Sequence, residues 1–132
     1  MKGAWSFLTT YKTAYYAGAR DQLYRQVGQW LAENSSPDAT VALTEVGTIG
    51  YFSQRRIIDM AGLVTYELRN LPKQGSYQET IRALKPDYII GSRGLPPDPE
   101  LAGFDGYIVA QRYPKGEDNL FEDVVIYALD RQ

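Results

Sequence analysis

Residues 41–63 read VALTEVGTIGYFSQRRIIDMAGL. An apolar run, Val41-Ala42-Leu43, ends in Thr44 and Glu45. Gly47 and Gly50 then frame a short connection that carries Tyr51 and Phe52. Arg55 and Arg56 follow, and a second apolar run, Ile57-Ile58, ends in Asp59. Short apolar runs bounded by turn residues are the pattern of buried strands. Each of these two runs finishes on a carboxylate. In an open α/β sheet, ligands bind outside the carboxyl ends of the strands. The candidate site is therefore the rim that Glu45 and Asp59 would share. Residues 46–53 between the runs read as a short helix or turn. That is a short link for parallel neighbours, whose crossover takes about a dozen residues or more.

Working towards the N-terminus, Tyr16, Ala19, Leu23, Val27, Trp30 and Leu31 recur at helical spacing. They predict a helix over residues 14–34, closed by Asn34-Ser35-Ser36-Pro37-Asp38. Residues 1–13 hold Trp5, Phe7, Leu8 and Tyr11 without clear periodicity and read as an arm or a terminal strand. Towards the C-terminus, residues 64–71 suggest one or two helical turns. Ser76, with Glu79 three residues on, matches a capping box for a helix over 76–85, which stops before Pro86. A third strand, 87–91, leads into a proline-rich loop holding Arg93. Strands at 107–112 and 122–129 are joined by the polar segment 114–119, the pattern of an antiparallel pair.

This order predicts one α/β domain over residues 14–132. Its single, three-layer-like open sheet has about five strands: a parallel half (41–45, 56–60, 87–91) and a C-terminal antiparallel pair (107–112, 122–129). A chain of 132 residues suits one domain that buries a core without staples.

Composition removes several chemistries. With no cysteine there is no disulfide and no thiolate nucleophile, and with no histidine the usual neutral-pH base and commonest metal ligand are gone. No Ser/His/Asp or Cys/His set can form. Acid–base work falls to Asp, Glu, Tyr or Lys, and nothing points to a Ser–Lys pair. A net charge of −2 gives no bulk positive field to draw nucleic acid. No apolar run reaches the roughly 18 to 20 residues that span a bilayer.

Each candidate residue has a plain alternative. Glu45 and Asp59 side by side can share a proton or hold a divalent cation; equally, Arg55 or Arg56 pairs with one of them, or Asp59 caps the next turn. Arg55, Arg56 and Arg93 suit an anionic group such as phosphate, or a solvated face. Tyr51 and Phe52 can stack on a sugar or a lipid, or fill core. Glu45 followed by Gly47-Thr48-Ile49-Gly50 suggests a small nucleotide- or adenosylmethionine-binding domain as the alternative function. The dinucleotide fingerprint G-x-G-x-x-G is missing, however, and a tight turn needs the same glycines.

The run 45–63 resembles a segment near the C-terminus of bacterial multi-span membrane glycosyltransferases. These are the relatives of protein mannosyltransferases, arabinofuranosyltransferases and lipid A aminoarabinose transferases. Their pattern is an acidic residue, G-x-x-x-Y-(F/Y)-S-x-R, then an apolar run closed by D-x-x-G-L. Here that is Glu45, Gly47, Tyr51, Phe52, Ser53, Arg55, Asp59, Gly62 and Leu63. Trp30-Leu31 and Lys85-Pro86-Asp87-Tyr88-Ile89-Ile90 match as well. The resemblance implies a non-catalytic soluble domain, on the extracytoplasmic face of the bacterial cytoplasmic membrane, of an enzyme that uses polyprenyl-phosphate sugars, contributing to glycan or acceptor binding or supporting the membrane-embedded active site. The catalytic acids of that family lie among membrane spans with no counterpart here, so no catalytic residue carries over and no cofactor is implied. The implied partners are the membrane-embedded part of the parent protein and a glycan or polyprenyl-phosphate sugar, with no nucleic acid. Residues 1–13 then become a juxtamembrane arm. The candidate substrate-binding set is Glu45, Tyr51, Arg55, Arg56, Asp59 and Arg93.

Overall fold

A computed structural model describes residues 2–44, 46–60, 77–92, 106–119 and 122–131. Glu45, the segment 61–76 with its expected turns and the Ser76 cap, and the loop holding Arg93 lie outside the described residues.

The apolar stripe that begins at Tyr16 belongs to α1, Lys2–Asn34. The helix thus takes in the segment expected as an arm. β1 (Thr40–Leu43) leads into α2 (Val46–Ser53) and β2 (Arg56–Asp59). Then come α3 (Tyr77–Leu84), β3 (Tyr88–Ser92), β4 (Tyr107–Tyr113) and β5 (Val124–Leu129).

The five strands form one sheet in the order β2-β1-β3-β5-β4. β1 runs parallel to both β2 and β3, while β5 runs antiparallel to both β3 and β4. The short link is therefore a true parallel crossover: α2, eight residues long, suffices to return the chain beside β1. A bulge between Val109 and Gln111 shifts the β4–β5 register.

Alternation along the strands builds a core on each face of the sheet. Val41 and Leu43 of β1 face α1 and α2, and join Leu23, Val27, Leu31 and Ile49 in one buried cluster. Ala42, between them, faces the other way with Ile58, Ile89 and Tyr127, under Ile81 of α3. Helix, sheet and helix make the three layers.

Two helices end without glycine. Gln54 follows α2 and Lys85 follows α3, each with a left-handed backbone (φ 52° and 45°). Each donates its N–H four residues back, Gln54 to Gly50 O and Lys85 to Ile81 O. This is the left-handed cap that usually takes glycine.

Candidate functional site

The strand tips meet as expected. Leu43 pairs with Asp59 in register, and the Met60 N–H donates to Leu43 O at 2.8 Å. The chain thus leaves β1 and β2 at the same edge. The side chains at that edge turn inward. Asp59 is 0 % exposed, and alternation places it on the same face as Ile57, under α1 and α2. It is engaged within the fold, as is the exposed Arg56. Ser53 is 0 % exposed as well; its hydroxyl donates to Gly50 O at 3.4 Å and accepts from Arg55 N at 3.3 Å.

Arg55 lies against the C-terminus of α1. Its Nε donates to Ser35 Oγ at 2.7 Å, and Nη2 donates to Ala32 O at 2.9 Å and to Ser35 O at 3.0 Å. Nη1 donates to Ser53 O at 3.3 Å. The last carbonyls of a helix have no intrahelical partner, and a cation is favoured there by the helix dipole. The guanidinium supplies both donors and charge. The sequence alternatives for Arg55 were an anion, a solvated face or a carboxylate; its partners are carbonyls and a hydroxyl.

Gly47 and Gly50 lie inside α2, so of the two readings of residues 46–53 the short helix is the one that forms. A Cβ on Gly47 would meet nothing within 4 Å, and one on Gly50 would meet Ile57 Cγ1 at 3.3 Å. Gly28 of α1 is the tightest glycine of this layer: its Cβ would sit 2.7 Å from Phe52 Cβ. Phe52 packs edge-on to Tyr51, with ring centroids 5.0 Å apart, and carries Arg25 over its face at 4.8 Å. Tyr51 is 75 % exposed and, with Arg56, is one of the two exposed side chains of the candidate set among those described.

A cleft of about 510 Å³ opens at the opposite end of the sheet, where β1 and β3 begin and β5 ends. Ser36, Asp38, Asp87, Tyr88, Leu129 and Arg131 line it. Asp87 joins the three strands there. Its Oδ2 accepts from the N–H (2.8 Å) and hydroxyl (3.1 Å) of Thr40, and its Oδ1 pairs with Arg131. The backbone N–H of Asp87 donates to Thr40 Oγ1 at 3.1 Å, and its carbonyl accepts from Leu129 N at 2.9 Å. Tyr88 packs edge-on to Trp30 and donates its hydroxyl to Asn34 O at 3.3 Å. Two of the motif pieces found in the sequence, Trp30-Leu31 and the segment around Asp87-Tyr88, are thus in contact. Nearby, Tyr107 donates to Pro86 O at 2.6 Å, and burial pushes its phenol up to about 12. Tyr113 is raised by burial and then by the charge of Glu33.

Sequence reasoning named none of these lining residues as a site. The Thr40–Asp87 pairing joins positions 47 apart, and no local spacing encodes it. The only signal was Pro86-Asp87, a helix stop followed by a strand start. Among the described residues, no three His, Cys, Asp or Glu side chains converge on a point that suits a metal ion.

The fold and these two sites define a small mixed-sheet α/β domain, with Asp59 buried at the β1–β2 tips and a cleft at the other end. The chain belongs to the family described as a domain of unknown function, DUF8728, which matches residues 11–127. No curated protein and no solved structure matches it.

Proposed function

We propose that the chain is a non-catalytic module of a bacterial membrane glycosyltransferase that uses polyprenyl-phosphate sugars, standing on the extracytoplasmic face of the cytoplasmic membrane. Within that reading it supports the membrane-embedded part, in preference to gripping the sugar donor. The observation that carries this preference is Arg55. The residue best suited to hold a lipid phosphate is occupied by the carbonyl end of α1. Ser53 and Asp59 of the same motif are buried. A motif whose polar groups hold its own layers together suits a scaffold.

The form of α1 also supports the reading. α1 has 33 residues and is roughly 50 Å long. A helix of that length suits a connection towards a membrane surface. No described helix is long and apolar enough to cross a membrane.

Cell fractionation with an antibody against this domain tests the proposal. The native protein should stay with the membranes through an alkaline carbonate wash and be digested by protease added to spheroplasts. Recovery in the soluble fraction, or protection from that protease, would contradict it.

A further inference from the structure

We propose that the cleft where β1 and β3 begin binds a small organic cation, a primary ammonium on a short apolar stem. The inference rests on the cleft alone and not on the glycosyltransferase reading. A volume of about 510 Å³ falls within the range of small-molecule sites. The charges that line it do not balance. Asp87 and Arg131 neutralise each other as an ion pair, and the second oxygen of Asp87 is held by Thr40. Asp38 remains. Its backbone N–H donates to Ser36 Oγ at 3.4 Å, while its carboxylate has no partner among the described residues.

The C-terminus of α1 beside the cleft is already capped, by Arg55 and by the Tyr88 hydroxyl on Asn34 O, so the negative charge of the cleft is that of Asp38. The remaining wall suits the stem: Ala39, Ala128 and Leu129 are apolar, and the Tyr88 ring is an aromatic surface that attracts cations. An anion would meet a net negative lining, and the one guanidinium there is already paired. In the bound state the ammonium lies against Asp38 and Ser36, with its stem along Leu129.

The test uses the full chain, labelled with nitrogen-15 and followed by amide spectra at constant ionic strength. The probes are n-butylammonium, n-butanol and butyrate. Butylammonium alone should give saturable shifts at the amides of Ala39, Tyr88 and Leu129. Asp38→Asn, equal in size and in an exposed turn, should weaken that binding by roughly threefold or more, and Asp38→Lys should abolish it. Equal, non-saturating shifts from all three probes would overturn the proposal. So would saturable butylammonium binding that Asp38→Asn leaves unchanged.

Discussion

Lys85 and Gln54 show how a single backbone angle ends a helix here. Both sit in the left-handed region, where an L side chain crowds its own carbonyl. Glycine has no such cost. Lys85 is exposed and its N–H bond to Ile81 O survives substitution. Lys85→Gly should therefore raise stability by about 1 kcal/mol, read as a higher urea midpoint. Tyr107 sets a pH dependence. Its folded-state value is about 12, above the ordinary value of 10.0, so the folded protein holds the phenolic proton more tightly. That contribution is whole below pH 10 and is lost as pH rises through about 12. Stability should decline over that window, and the decline should be shallower in Tyr107→Phe. An unchanged slope in that variant would show that another group causes it.

At the scale of elements, α1 and α2 approach closely because Gly28 has no side chain. A Cβ there would lie 2.7 Å from Phe52 Cβ, 3.1 Å from Ile49 O and 3.2 Å from Ser53 N. Two of those three atoms are backbone and cannot swing aside, so the helices must separate. Gly28→Ala should cost about 1–3 kcal/mol, although alanine is the better helix former. A gain in melting temperature would contradict this packing. The elements were legible in the sequence wherever one face is buried. The runs at 41–43 and 57–58 and the stripe from Tyr16 to Leu31 announced β1, β2 and residues 16–31 of α1. Residues 2–13 of α1 were harder to read: Trp5, Leu8 and Tyr11 stand three apart and Phe7 and Tyr11 four apart, which is helical spacing, but over too few turns to separate a helix from an arm. The Arg55 cap was hidden for another reason: three of its four acceptors are main-chain carbonyls, which leave no trace in residue identities, and the fourth, Ser35 Oγ, is 20 residues away. The cleft was hidden because Asp87 meets Thr40 only through the β1–β3 pairing.

At the scale of the whole molecule, β1, α2 and β2 form a parallel unit that sets the sheet's edge. Arg55, just ahead of β2, fastens that unit to the end of α1. The central claim is that this arginine joins the helical layer to the sheet, and that its donors are committed within the protein. Equilibrium urea unfolding of Arg55→Ala, followed by far-ultraviolet circular dichroism, tests the claim most directly. Loss of several charge-assisted hydrogen bonds should lower stability by about 1.5–3 kcal/mol, with the slope of the transition unchanged. Arg55→Lys should recover little of it, because a lysine cannot reproduce the planar fork. If Arg55→Ala unfolds at the wild-type midpoint, the guanidinium is not holding α1, and the motif is released to be a ligand site after all.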